Sequence, residues 1–283
     1  MSAIKIISVK GTGSSNEDAI VCNPSLSLYG VLDGVSSLIP YVSSDQRKGG
    51  EIASTLVKDH FEQLTTLPDL LAEVEVANRK LRDAMEEAQI DMSQKEALWG
   101  TAVALARISD DFIEFVQTGD CMIFTENVDG TIRVLTYPQV AHLENIAFEQ
   151  WEKGIAQGMR LRSDLIELVR ERLKQNRYLS NTKGGYGVLN GEKDANKFLD
   201  YGKISRNNVR RLVLVTDGLF LPETDYRHSP DWGKMVAYIL SLGLDAYTDH
   251  ILDIEEKDPE CLKYIRFKKS DDKTGVIINL DEC

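Results

Sequence analysis

The sequence predicts an α+β sandwich, and three observations predict it. Short β-branched and apolar runs bounded by turn residues arrive in groups, and amphipathic helical patterns arrive between those groups. Segregated hairpins with paired helices favour a sandwich over alternating βαβ units. The composition also permits a sizeable core, with 42% apolar and 28% charged residues among 283. No internal repeat, heptad array or low-complexity linker divides the chain, so residues 1–283 are expected to form a single domain.

Each element follows from its local pattern. Residues 3–8 and 19–23 are short apolar strands separated by the small-residue segment 11–16, and residues 26–32 alternate in part before stopping at Asp33-Gly34. Two helices come next. Residues 51–61 set Ile52, Leu56, Val57 and Phe61 at helical intervals. From about 70 to 90, Leu70, Val74, Ala77, Leu81, Met85 and Ala88 make one stripe with charges opposite. Residues 101–107, 112–116, 122–125 and 131–136 return to strands, with Asp129-Gly130 as a hairpin turn. Residues 139–178 read as helical, with Leu161, Leu165, Leu168, Val169 and Leu173 on one face, until a Gly- and Asn-rich stretch interrupts them. The region 139–182 is thus expected to be a helical insertion. Residues 212–216 form a strand that ends at Asp217-Gly218, residues 232–244 a helix, and residues 275–280 the last strand.

Charge and cysteine usage exclude several classes of function. Asp and Glu outnumber Lys and Arg by 45 to 33, a net charge of −12 that repels phosphate backbones, so no nucleic-acid partner is expected. No run of 18 apolar residues occurs, which argues against a membrane span, and residues 1–10 hold too short an apolar stretch for a signal peptide. Cys22, Cys121, Cys261 and Cys283 show no CxxC spacing. That pattern suits a reducing cytoplasm and argues against a cysteine-based zinc site.

Four carboxylates share a local context, each at a strand end or turn: Asp18, Asp33, Asp217 and Asp271. Singly, each is an ordinary turn residue. Gathered at one end of a sandwich, they would raise each other's pKa and destabilise the fold unless a cation neutralised them. Oxygen-only ligands suit Mg²⁺ or Mn²⁺, and the glycine after Asp33 would let a backbone carbonyl approach such an ion.

The ordered set Asn16-Glu17-Asp18, Leu32-Asp33-Gly34, Gly100-Thr101-Ala102-Val103, Thr118-Gly119-Asp120, Val215-Thr216-Asp217-Gly218 and Asp271-Asp272-Lys273-Thr274 resembles the successive motifs of the metal-dependent (PPM, type-2C) protein phosphatases. The resemblance covers residues 5 to 280 and is loosest over 139–205. It implies a four-layer αββα sandwich, two mostly antiparallel sheets flanked by helix pairs, in a divergent, bacterial-type member. It also implies two Mg²⁺ or Mn²⁺ ions bridged by Asp33, with the Gly34 carbonyl on one of them and Asp217 and Asp271 on the other. Glu17 and Asp18 would bind directly or hold metal-bound waters, and Asp120 matches a position used for a third, weaker ion in some members. The implied activity is hydrolysis of phosphoserine or phosphothreonine on a protein substrate by a metal-activated water, with a cognate kinase as counterpart.

Four positions depart from the motif pattern. Gly13 stands where an arginine often holds the substrate phosphate, and Val35 where many eukaryotic members have histidine. Leu221 replaces the usual acid four residues after Asp217, and Asp272 replaces asparagine. Arg47, Lys48, Lys268 and Lys269 are replacement cations by charge alone, with solvation their simpler role. Two rival readings follow: a catalytically impaired member that binds or regulates a partner, and a hydrolase of small phosphoesters. His60 reads as a packing residue, Glu255 to Asp258 as a solvated turn, and Phe148 and Trp151 as core rather than docking surface.

Overall fold

The computed structural model describes residues 4–280. Ala3, where the first strand was expected to begin, and Cys283 lie outside them, as do the ends of the expected 1–283 domain. Three strands come first: β1 (Ile4–Val9), β2 (Ala19–Asn23) and β3 (Leu28–Val35). Two helices follow, α1 (Gly49–Glu62) and α2 (Leu70–Glu87), the second capped by Asp69, whose carboxylate accepts from Ala72 N at 3.1 Å. Then come β4 (Gly100–Ile108), β5 (Phe112–Thr118), β6 (Met122–Asn127) and β7 (Ile132–Val134), with Gly130 at φ +84° in the expected hairpin turn.

The region 139–178, expected to be helical, is a hairpin of α3 (Ala141–Ala156) and α4 (Arg162–Tyr178). Gly158, at φ +98°, breaks it in a conformation that other L-residues resist. Next come β8 (Asp200–Ser205), which the sequence pattern did not reveal, and β9 (Val209–Val215). The helix expected over 232–244 is α5 (Trp232–Leu242), ended at Gly243 with φ +83°; a further helix that the sequence pattern did not reveal, α6 (Leu244–Glu256), follows before β10 (Lys273–Asn279). No described helix is long and apolar enough to cross a membrane.

Among the described residues the strands form two five-stranded antiparallel sheets, ordered β1-β10-β9-β6-β7 and β2-β3-β4-β5-β8. The period-2 alternation of a strand sorts their residues between layers. In β4, Ala102, Ala104 and Ala106 face the other sheet across a core that includes Val31, Cys121, Ile123, Leu212, Leu214 and Val276. Val103 and Leu105 point the other way, into Val57, Phe61, Leu70 and Val74 of α1 and α2. In β9, Val213 and Val215 pack under Trp232, Val236, Ile239 and Tyr247 of α5 and α6. The layers are therefore helix pair, sheet, sheet, helix pair.

One tertiary feature differs from expectation. Residues 255–258 are no solvated turn: Glu255 pairs with fully buried Lys273 at 2.9 Å and Asp258 with Arg266 at 2.9 Å. The α3–α4 hairpin packs through Ala147, Trp151, Leu165 and Val169 on Cys261, and Trp151 Nε1 donates to the Cys261 carbonyl at 3.1 Å. His60 is buried as expected and lies 3.1 Å from Glu73 and 3.0 Å from Lys80.

Candidate metal centre

The acidic residues meet at one end of the sandwich, and each is delivered by a different constraint. Asp33 lies inside β3 and not beyond its end, because pairing with β4 continues through Asp33–Ala102 to Val35–Gly100. By alternation it shares a face with Val31, which looks toward the opposite sheet. Thr101 Oγ1 donates to the Asp33 carbonyl at 2.9 Å. Asp120 sits in the turn that carries the chain from β5 in one sheet to β6 in the other. That turn requires Gly119 at φ +70°, where a Cβ would lie 2.5 Å from Ala102 Cβ. Gln139 clamps it, donating its N–H to the Gly119 carbonyl at 2.8 Å and accepting from Gly119 N at 3.2 Å.

Asp217 begins a single helical turn after β9. Thr216 anchors it to β10, donating N–H to the Thr274 carbonyl at 2.9 Å and accepting from Thr274 N at 3.0 Å. Asp33, Asp120 and Asp217 each offer a carboxylate oxygen, and these oxygens lie within 4.8 Å of one another. Asp18 and Asp271 are not part of that tight triad. Asp18 precedes β2 and accepts from Thr216 Oγ1 at 2.8 Å. Asp271 precedes β10 and accepts from Lys268 Nζ at 2.6 Å and from Asp272 N at 2.8 Å.

Glu17 and Gly34 hold the loops together. The Glu17 carbonyl accepts from Gly34 N at 3.1 Å and from Ser54 Oγ at 2.6 Å, while its carboxylate accepts from Ser36 Oγ at 3.0 Å. A Cβ on Gly34 would stand 2.4 Å from the carbonyl oxygens of both Glu17 and Gly50. Asp272 accepts from Gly11 N at 2.8 Å through one oxygen and from Glu17 N at 2.7 Å through the other. Asparagine, with a single acceptor oxygen, would satisfy only one of these. The charge at this position therefore serves a backbone staple.

The electrostatics reflect crowding. Burial, then the neighbouring carboxylates, push Asp33 and Asp120 well above the ordinary carboxylate range. Burial raises Asp18 to about 8 against the opposing Thr216 hydrogen bond, and raises Asp217 to about 6 with Asp271 adding to the effect. Asp217 Oδ1 is buried and accepts no hydrogen bond from a protein group. An orphaned carboxylate oxygen, in an all-oxygen cluster that resists ionising, fits a hard divalent cation.

Three functional candidates in the same cleft carried no motif signal. Glu144, in the first turn of α3, is raised to about 7 by burial and then by Asp217 and Asp271. Arg177, near the end of α4, donates to the Ser36 carbonyl at 3.1 Å. Lys268 pairs with Asp271; burial alone would lower its pKa, but Asp271, Asp33 and Asp217 together raise it above the usual lysine range. The cleft holds about 910 Å³ and runs from the carboxylates past Glu144 to Phe148, Tyr226 and Phe267. Leu221, at the position of the usual acid, packs instead against the α5–α6 core.

The sequence matches the family model described as protein phosphatase 2C over residues 8–253. No curated protein matches it. Among solved structures, the serine/threonine phosphatase PstP of Mycobacterium tuberculosis superposes with a TM-score of 0.57 at 17% identity, covering 99% of this chain and 98% of that one. The serine/threonine phosphatase of Staphylococcus aureus gives 0.56 at 15% identity, covering 99% and 95%. A PstP catalytic domain in complex with two manganese ions gives 0.54 at 16% identity, covering 98% and 97%. At these identities the likeness establishes a shared fold.

Proposed function

The chain belongs to the protein phosphatase 2C family and is a metal-dependent protein-serine/threonine phosphatase, and from that premise we propose how its residues divide the work. Asp33, Asp120 and Asp217 form the innermost cation shell, with the Gly34 carbonyl, Asp18, Glu17 and Asp271 around it. The observation that carries this reading is the trio of carboxylate oxygens within 4.8 Å, one aspartate of which has a buried, orphaned Oδ1. Divalent cations held there supply an acidified water and neutralise charge on the phosphoryl oxygens. We take the ions to be Mg²⁺ or Mn²⁺, a pair held by the trio, with Asp120 also reaching a weaker third; the manganese-bound relative supports Mn²⁺.

The chain's own groups orient the site. The Thr216 hydroxyl fixes one oxygen of Asp18, and the Asp272 staple fixes the backbone of Glu17 beside Gly34. Cys121, next to Asp120, is fully buried between the sheets and its thiol is pushed well above its usual pKa by burial, so it is no thiolate nucleophile. The substrate is a phosphorylated protein, with a kinase as the opposing enzyme. We also read the chain as one cytoplasmic domain in which 139–182 is an insertion forming a wall of the cleft.

Hydrolysis of an aryl phosphate and of a phosphothreonine peptide, in EDTA, Mg²⁺ or Mn²⁺, tests this reading. Turnover that needs the metal and falls at least about a thousandfold in Asp33→Asn is expected. Equal turnover in EDTA, or an unimpaired Asp33→Asn enzyme, would remove the assignment.

A further inference from the structure

The cleft of a phosphatase must hold a dianionic phosphoryl group, and the loop 11–15 that forms part of its rim contains no cation. That loop is joined side by side to a second one. Thr12 donates to the Ser270 carbonyl through its N–H at 2.9 Å and through Oγ1 at 3.0 Å, and Gly11 N donates to Asp272 at 2.8 Å. The contact is close enough that a Cβ on Gly11 would lie 2.4 Å from the Ser270 oxygen. Residues 11–15 and 268–272 therefore make one continuous wall, and a cation on either strand of it reaches the same space. Lys268 is a cleft residue of that wall, as are Gly13 and Ser15, whereas Lys269 is not.

The three cleft arginines have partners outside the carboxylate cluster. Arg177 donates to the Ser36 carbonyl, Arg227 pairs with Asp225 at 2.8 Å, and Arg266 pairs with buried Asp258 while donating to four carbonyls. Lys48 lies 3.9 Å from Glu17. Among the described residues Lys268 has Asp271 alone as its ion-pair partner, at 2.6 Å, and its side chain keeps 59% of its exposure. Asp271 belongs to the set that attracts divalent cations, so a cation there competes with the lysine for the same oxygens. An ammonium displaced by such a cation would stand on a flexible stem beside the carboxylate cluster.

Resting on the phosphatase reading above, we propose that Lys268 is the substrate-phosphate-binding residue of this chain, supplying from the 268–272 loop the positive charge that position 13 lacks. Lysine binds phosphate as a point charge and not bidentately, so the cleft accepts varied phosphoryl orientations at some loss of grip.

The test compares wild type, Lys268→Met, Lys268→Arg and the neighbouring control Lys269→Met, all checked for folding by circular dichroism. Three quantities are read in saturating Mn²⁺ or during its titration: KM for a phosphothreonine peptide, the inhibition constant of inorganic phosphate, and Mn²⁺ affinity by calorimetry. Lys268→Met is expected to raise KM and the phosphate constant about ten- to a hundredfold. Its Mn²⁺ affinity should be unchanged or tighter, Lys268→Arg should restore most of the loss, and Lys269→Met should match wild type. Unchanged phosphate inhibition in Lys268→Met, or a change in Mn²⁺ affinity alone, would leave the lysine a mere counter-ion and overturn the proposal. If wild type turns over no phosphoester, the phosphatase reading fails, and calorimetry of inorganic phosphate on the Mn²⁺-loaded chain still decides: weaker binding in Lys268→Met retains the assignment, equal binding removes it.

Discussion

Replacing Lys273 with methionine isolates the support beneath Asp271. Lys273 is fully buried; its ammonium lies 2.9 Å from Glu255 Oε2, 3.0 Å from Ser270 Oγ and 2.9 Å from the Asp271 carbonyl. Methionine fills a similar volume but leaves Glu255, whose side chain is 8% exposed, without its cation. Stranding one member of a buried pair costs about 3–5 kcal/mol, whereas replacing both members with apolar groups is often nearly neutral. For 283 residues the unfolding entropy is roughly 0.6 kcal/mol per degree, so Tm should fall by about 5–8 °C. Urea and thermal unfolding in EDTA at pH 7 would measure it, with no metal to obscure the comparison. The double variant Lys273→Met/Glu255→Met should regain most of the loss. A single variant within about 1 kcal/mol of wild type, or a double variant no better than the single, would refute the view that charge stranding governs this site.

Two further outcomes are expected. Asp217 and Asp18 keep protons in the fold up to about pH 6 and about pH 8, far above their ordinary 3.8. The folded state therefore binds protons that the unfolded chain has released, and this contribution, complete below pH 3.8, is lost as pH rises through 6 and then 8. Tm in EDTA should drop across that window and flatten in saturating Mn²⁺; a metal-free Tm that climbs with pH would contradict the crowding argument. Gly34→Ala forces a Cβ to 2.4 Å from two carbonyl oxygens, a clash only backbone movement relieves. It should cost at least ~3 kcal/mol in urea unfolding and weaken Mn²⁺ binding, and a wild-type urea midpoint would show that the loop yields freely.

Much of the fold could be read locally because the elements that build it carry their own signals. The buried strands β4, β9 and β10 are near-continuous apolar runs, and the α2 stripe needs no partner to be recognised. β8 escaped because it is an edge strand whose residues are mostly exposed; its register comes from β5, not from alternation. The breaks at Gly158 and Gly243 depend on positive φ, which composition alone does not announce. For the site, Asp-Gly and Asn-Glu-Asp signals marked the carboxylates, since turns and strand ends leave a trace in sequence. Glu144 and Arg177 left none and Lys268 stood out by its charge alone, as ordinary charged residues on a helix or loop become site residues only through tertiary approach. Glu255 and Asp258 were misread for the same reason: their partners Lys273 and Arg266 lie 18 and 8 residues away.

The pairing of β1 with β10, register Ile4–Ile278 through Val9–Lys273, has a consequence for the birth of the protein. Asp18 and Asp33 leave the ribosome early, but Asp217 and Asp271 follow after most of the chain. β1 has no sheet partner until β10 has been made, and closing so long a loop is slow. Until β10 is made, β1 is therefore an unpaired edge, open to chaperones or misassembly, even though Asp33, Asp120 and Asp217 have all been translated. The last strand thus closes a sheet whose first strand was made long before it, and the two loops that flank the carboxylates are locked together only at that moment.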